Sequence, residues 1–349
     1  MEIAMQAGQV PQVPAQPKEM LSVRLDESIG TLKVRINFSS LAVMQECWRK
    51  VEYSLLRGLR SQFESPATLF GTAIHKALEV YYSAPRTARN LPEAFDETMR
   101  AIGVGQWQDS WANEVVFLAA QAFVLKAAPL AALPAENKHS VVTGVWLLTH
   151  YFQRYVTDPF VVLHDKEGPV VERRFSLPLG SFKHNHQHID VELFGQIDAV
   201  LINEQTEQVL VADHKTTGQL YGFYDRVKPN HQYTAYLLGA RDVLGIASNG
   251  FLVNAIEKKA IPKTARGTPP QFARQITTRT EDDFNELRSA IFHAVETFLR
   301  LRDQGHWPQT APGPCGNYGG CPYLEVCAAP KELHETVIKA KYQETGAHT

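Results

Sequence analysis

The sequence predicts an α/β protein in which a mixed β-sheet core is flanked by helices, with a helical region ahead of the sheet and a cysteine-rich loop behind it. Three observations carry this. Residues 39–160 place apolar side chains at helical spacing. From residue 169 the pattern switches to alternating runs: PVVERRFSLPL, HIDVELFGQIDAVLIN and EQVLVADHKTT. A helix and further strands follow, and strand–strand–strand–helix–strand is the order of a mixed sheet with helices packed on it.

Taken in order, residues 1–30 begin with the Gln- and Pro-rich MEIAMQAGQVPQVPAQPKEM and read as a flexible arm. The arm lacks a basic start followed by an apolar run, so it is not a secretory signal. The β-like TLKVRINFSS leads to a helix capped by Ser39 or Ser40 and running through LAVMQECWRKVEYSLLRGL. After Pro66, ATLFGTAIHKALEVYY is a second helix, and residues 91–101, 109–127 and 139–156 read as further ones. The sheet core spans residues 169–280. Inside it, PNHQYTAYLLGARDVLG (229–245) is a helix with Pro at its first turn and Gly at its end. NGFLVNAIE and FARQITT are two more strands. Residues 280–304 form a long helix, with Thr280 as N-cap and Glu281, Asp282 and Asp283 in its first turn. Residues 307–330 are rich in Pro, Gly and Cys without periodicity, and a charged helix or tail fills 331–349. The chain thus divides into the arm, one large domain over 31–330, and the tail.

The 349 residues suffice for a sizeable core, and 44% hydrophobic with 21% charged residues is ordinary for a globular protein. The net charge of −2 argues mildly against a passive DNA-coating protein. It says little about an enzyme, whose site carries carboxylates and whose basic groove can be local. No run of about eighteen apolar residues marks a membrane span. A cytoplasmic location is the expectation. There, four Cys are better suited to metal or cluster ligation than to disulfides.

The chemistry concentrates in VLVADHKTT, residues 209–217, and the FGQID at 194–198. Asp213 and Lys215 share side-chain parity on a strand, and Asp198 ends the run before. If the two runs form a hairpin, the carboxylates meet at its tip. Two carboxylates and a lysine can hold a divalent cation beside a phosphate and activate a water. An isolated Asp-x-Lys is more often a surface ion pair. His75 lies on a helix, where a lone histidine is more often a satisfied core or surface residue. Gln232 and Tyr236, four apart, share a helix face. The side chain of His214 points away by parity. HNHQH at 184–188 reads as a solvated hairpin loop, with weak divalent binding as the lesser reading.

The ordered set Gly71-x-x-x-His75-x-x-x-Glu79, Gly195-x-x-Asp198, Asp213-x-Lys215 and Gln232-x-x-x-Tyr236 resembles the RecB-like branch of the PD-(D/E)XK nuclease superfamily over roughly residues 35–330. The resemblance implies a restriction-endonuclease-like fold and Mg²⁺- or Mn²⁺-dependent phosphodiester hydrolysis of DNA with a free end or single-stranded character. It implies that His75, Asp198, Asp213 and the main-chain carbonyl of His214 bind the metal, and that Lys215 is the catalytic lysine. Gln232 and Tyr236 would position the water, the lysine or the DNA strand. Glu172 is a candidate accessory acid, or equally an exposed strand residue.

Cys47, Cys315, Cys321 and Cys327 offer four thiolates, which suit a [4Fe–4S] cluster or a structural zinc. One early and three late cysteines are similar to the iron–sulfur members of this branch, among them CRISPR-adaptation nucleases and helicase–nucleases of recombination. Those relatives commonly show C-x₂-C-x₅-C, whereas this chain has C-x₅-C-x₅-C, so zinc stays open. Arg49, Lys50, Tyr53, Arg57, Arg60, Tyr221, Tyr224 and Arg226 are candidates to line a strand path, by stacking and phosphate contacts. For any one of them, an ordinary solvated helix or loop face is the commoner reading. The absence of G-x-x-x-x-G-K-[ST] excludes that type of helicase motor. The implied partners are DNA and proteins of recombination or spacer acquisition. A reading of another class is a cluster- or zinc-stabilised DNA-binding or assembly protein without cleavage, against which the intact Asp198, Asp213 and Lys215 argue.

Overall fold

Alternating apolar residues from 169 onward build a sheet with both faces covered. The computed structural model of the chain describes residues 21–26, 30–61, 64–263, 268–310, 313–316 and 320–344. Residues 1–20 of the expected arm lie outside these. The rest of the arm is not all irregular: β1 (Leu21–Asp26) pairs antiparallel with β2 (Thr31–Ile36), and Leu21 and Val23 are buried in the core.

Then follows α1 (Phe38–Glu46), capped by Asn37 rather than by Ser39 or Ser40: the Asn37 side chain accepts a hydrogen bond from the Ser40 N–H at 2.8 Å. The single helix expected through Leu59 breaks at Cys47, which is extended (φ −164°, ψ 123°). Past the break come α2 (Trp48–Val51), a π-helical turn (Glu52–Leu56) and β3 (Leu59–Ser61). The helical region holds α3 (Pro66–Ser83), α4 (Phe95–Gly103), α5 (Val115–Lys126) and α6 (Val141–Tyr155). Next are β4 (Phe160–Val162), the short pair β5 (His164–Asp165) and β6 (Gly168–Pro169), β7 (Val171–His184), β8 (Gln187–Asn203) and β9 (Val209–Thr217). After these come α7 (His231–Asp242), β10 (Gly250–Glu257), β11 (Phe272–Thr278) and α8 (Glu281–Gln304). The end of the chain carries α9 (Gly313–Gly316), α10 (Leu324–Ala328), α11 (His334–Lys341) and β12 (Tyr342–Glu344). In α7 the cap is Asn230, so Pro229 stands before the helix and not in its first turn. In α8 Thr280 and Asp283 form a reciprocal capping box.

The sheet has eight strands: the five the sequence predicts, β7 to β11, the β-like stretch that becomes β2, and two it missed, β1 and β4. β9 is antiparallel to β8 and parallel to β10, with α7 as the crossover. One face packs on α1, α7 and α8 through residues such as Val211, Val253, Leu237 and Phe298. The other packs on α3 to α6 through Leu210, Ala212, Leu252 and Phe70. The result is three layers, the mixed sheet flanked by helices that the sequence predicts.

β8 pairs with β7 over most of its length, so its other edge must serve both β2 and β9. β2 covers that edge to Leu193 and β9 takes it up from Ala199. Phe194 to Asp198 are left between them, in a notch. Core-facing parity on β8 also changes here, since Leu193 and Ile197 face the first core and Ala199 and Leu201 the second. On β7, opposite Asp198, Glu172 adopts a left-handed φ of 49°.

Residues 331–344 are not a tail. α11 and β12 join a small third core with Tyr53, Leu59, Tyr323 and Val326, and β12 pairs with β3. The HNHQH hairpin turns at Asn185 and His186, both left-handed, and His184 pairs with Asp303 at 2.8 Å.

Candidate active site

Asp198 and Asp213 stand inside their strands and not at strand ends. The β8–β9 hairpin turns after Asn203, so the carboxylates lie at the open end of the ladder, away from the hairpin tip where the sequence placed them. There β9 separates from β8, and α3 from one layer and α7 from the other reach the gap.

Close approach of α3 is set by Gly71: a Cβ there would come within 3.2 Å of the Thr216 hydroxyl on β9. One turn later, His75 Nδ1 lies 3.3 Å from Asp198 Oδ2. The same oxygen accepts the His214 N–H at 2.9 Å. Glu172 completes the group. Its kinked backbone turns its carboxylate toward Asp198, and ligand atoms of His75, Glu172 and Asp198 all lie within 4.8 Å of one another. Among the described residues no other three histidine, cysteine or carboxylate groups meet that closely. Burial, then Asp198 and Glu79, push Glu172 up to about 7. Gln196 donates a hydrogen bond to it. Glu79, the last residue of the helix motif, is tied to Lys76 at 2.7 Å.

Asp213 is only 1% exposed. Its Oδ1 accepts a hydrogen bond from Lys215 Nζ at 2.9 Å. Oδ2 lies 2.8 Å from the same nitrogen but outside hydrogen-bonding geometry, and it is buried without a partner. Burial raises the Asp213 carboxyl above its ordinary value, and Lys215 offsets part of that rise. For Lys215 burial acts downward, but Asp213 and Asp198 outweigh it and hold the ammonium charged.

This donor set fits a hard divalent cation. Such an ion takes oxygen and imidazole donors, and three acids gathered around one histidine and one lysine leave negative charge for it to balance. His75, Glu172, Asp198 and Asp213 are the side chains that would hold it.

On α7, Gln232 donates to the Tyr236 hydroxyl at 3.0 Å, so the pair acts as one unit. Burial, then the charge of Asp213, push Tyr236 up to about 12. The His214 side chain faces the opposite layer, stacked on Tyr82 at 5.2 Å, and its Nδ1 is 2.8 Å from the Asn254 amide. Burial drives its pKa down to about 3, so the ring is neutral. Sequence reasoning missed Gln196, which sits inside the Gly195-x-x-Asp198 motif, and Tyr233, whose hydroxyl is near enough to Asp213 to be raised by it.

The four cysteines converge. Cys47, in its helix break, lines a cavity of about 290 Å³ together with Cys315, Cys321 and Cys327. All four are free thiols. Burial acts upward on Cys47, but polar groups of Thr310, Lys50 and Arg49 bring it below the ordinary thiol value. Cys321 and Cys327 are raised by burial.

Most residues proposed for a strand path serve this unit instead. Tyr53 is buried against Tyr323 at 5.5 Å, Arg57 pairs with Glu335 and Glu344, and Lys50 pairs with Glu46. Arg49 pairs with Glu52, and Arg60 donates to the Ser54 carbonyl. Tyr224 packs partly into the first core, and Arg226 shares its short 3₁₀ turn. Tyr221 is 90% exposed.

A family model of the PD-(D/E)XK nuclease superfamily matches residues 35–328. The match covers most of the chain, the sheet from β4 onward and both groups of candidate ligands, and the chain belongs to that superfamily. No curated protein sequence matches it significantly. Membership implies phosphodiesterase activity with DNA as the substrate class, and nucleases of this superfamily usually use Mg²⁺ or Mn²⁺. No helix among the described residues is long and apolar enough to cross a membrane.

Proposed function

We propose that this protein is a metal-dependent deoxyribonuclease of the RecB-like, iron–sulfur branch, acting on DNA ends or single strands. Its place would be in recombination, repair, or phage or CRISPR DNA processing. The observation that carries the chemistry is the convergence of His75, Glu172 and Asp198 beside the Asp213–Lys215 pair. A divalent cation held there would supply Lewis-acid stabilisation of phosphate charge and a nucleophile at neutral pH. The main-chain carbonyl of His214 would be a further ligand. Lys215, kept cationic, faces the developing negative charge of the phosphorane. The Gln232–Tyr236 unit orients the reacting groups from α7. Burial, then Asp198 and Glu79, raise Glu172 in the absence of an ion; beside a bound cation it would give up that proton and serve as a carboxylate ligand.

The cysteine unit is read as a [4Fe–4S] centre. A tetrahedral zinc at about 2.3 Å from each sulfur would hold the sulfurs about 3.8 Å apart. No three of them lie within 4.8 Å of one another, while all four line one cavity. A cubane, with irons and sulfides between the thiolates, suits that wider spacing.

Purified protein incubated with Mg²⁺ or Mn²⁺ and end-labelled single- and double-stranded DNA should release labelled fragments, and chelation should stop the release. Binding without cleavage under every such condition would replace this reading by that of a DNA-binding protein of the same fold.

A further inference from the structure

The notch in the sheet has a use of its own. Between the end of β2 and the start of the β9 pairing, Phe194 to Asp198 of β8 have no neighbouring strand on that edge. A cleft of about 930 Å³ opens there, lined by Phe194, Gly195, Gln196, Arg174, Arg35 and Tyr236 among others. Two of its lining residues reach the candidate site through hydrogen bonds. Its Gln196 is bonded to Glu172, and its Tyr236 to Gln232.

The lining pairs a free cation with an aromatic ring. Arg174 is exposed, sits across the ladder from Gln196, and has no ion-pair or hydrogen-bond partner among the described residues. Arg35 is committed to Glu192 at 2.6 Å, and its guanidinium lies 4.9 Å over the Phe194 ring, fixing that ring at the cleft wall. An unpaired guanidinium for a phosphate and an immobilised ring for a base are what a nucleic-acid strand needs. The volume is at the upper end of the roughly 300–1,000 Å³ that encloses a small ligand. That is room for a few nucleotides of one strand.

We propose that this cleft seats the nucleotides of a single DNA strand next to the scissile phosphate, with Arg174 clamping a phosphate and Phe194 carrying a base. The proposal rests on the nuclease reading and adds the strand's path to it. The wall is not the one the sequence suggested, because Arg49, Lys50, Arg57 and Arg60 are occupied in the cysteine unit.

The test is steady-state cleavage of a short single-stranded oligonucleotide by the full chain, with KM and kcat measured over a range of salt. Arg174→Ala should raise KM roughly tenfold with kcat nearly kept. It should also shallow the slope of log affinity against log salt by about 0.7, one phosphate contact on a single strand. Phe194→Ala should raise KM by roughly fivefold or more, without the change in salt slope, and Phe194→Tyr should restore it. Arg100→Ala, an exposed arginine on α4 in the helical layer, is the control and should act as wild type. Wild-type cleavage with unchanged KM in both Arg174→Ala and Phe194→Ala overturns the cleft as strand seat. So does an equal loss in Arg100→Ala. A wild-type protein that cleaves no DNA defeats the nuclease reading, and this proposal with it.

Discussion

In the sheet, Asp198 and Asp213 are held by ladders that continue past them. β10 accompanies β9 beyond Asp213 to Thr217, and β7 flanks β8 on both sides of Asp198. In the cysteine unit, Cys47 sits in a break between two helices, and Cys315 in a four-residue helix. The first region is shaped by two large apolar cores, so the strands that carry its carboxylates are held in place by packing. The second has a small core of its own around Tyr53, Tyr323 and Ile338 and joins residues far apart in the chain. A centre held by the four thiols would tie its segments together. The difference separates a ligand that is used from a ligand that is structural.

The sharpest way to break this contrast is Asp213→Asn. Loss of a carboxylate that faces the reacting phosphate should lower kcat by about 10³-fold or more, about 4 kcal/mol. The melting temperature should fall far less than the rate does. Burial raises the Asp213 pKa, so its charge opposes folding at neutral pH, and relief of that offsets part of what Lys215 loses with its buried partner. A mutant that loses activity and stability together would move Asp213 from chemistry to structure.

Cys47→Ser should do the reverse. Iron, expected at about four per chain in protein purified without oxygen, should be lost. A link that closes most of the chain should cost about 3 kcal/mol, as removal of a long-range crosslink does. Hydrogen exchange should quicken first in β3 and β12, while β9 and β10 stay protected. Fully folded, active, metal-free protein would end the structural reading of the cysteines. One zinc per colourless chain would end the cluster reading alone.

The two regions also differed in how far the sequence could be read. Asp213 with Lys215 share strand parity, and Gln232 with Tyr236 a four-residue spacing, which are local periodicities; their roles and that of His75 came only from the resemblance of the ordered motifs. Glu172 was read there only as a candidate accessory acid or an exposed strand residue. Its part depends on lying opposite Asp198 in the β7–β8 register and on a left-handed backbone, and neither can be read from a run of residues. The break at Cys47 was hidden because LAVMQECWRKVEYSLL keeps helical apolar spacing across it. Tertiary demand to turn the thiol toward Cys327 overrides that pattern. Arg57 and Arg60 looked like a basic face since their acceptors, Glu335 and the Ser54 carbonyl, are set by contacts that sequence distance conceals. β1 was taken for part of the arm because six residues after a Gln- and Pro-rich stretch carry little signal.

A smaller effect is expected at Gly195, where the sheet meets α7. A Cβ there would come within 2.7 Å of the Phe175 ring and 3.4 Å of Tyr236. Gly195→Ala should therefore cost about 1–3 kcal/mol through overpacking. Because the displaced rings border the site, activity of the folded fraction should fall as well. Thermal melts beside specific activity measure both, and an unchanged protein would show that Phe175 has room to move.

The smallest effect tests whether α7 belongs to the chemistry or only to the layer that supports it. The cap of this helix is Asn230, so the Gln232 side chain is not spent on capping. Its amide is bonded to Tyr236, whose other neighbours are the Phe175 ring and the charges of Asp213 and Lys215. Gln232→Ala leaves no large void, since the residue is only half-buried, and removes one hydrogen bond worth about 1 kcal/mol. If the pair orients reacting groups, kcat should fall roughly tenfold, because small displacements at the scissile phosphate are costly. The melting temperature should move by no more than a degree or two. Tyr236→Phe should reproduce the loss of kcat, as it removes the same bond from its other end, and the double mutant should be no worse than either single one. Additive losses, or a fall in stability in proportion to the fall in rate, would place Gln232 and Tyr236 among the groups that hold the layer together.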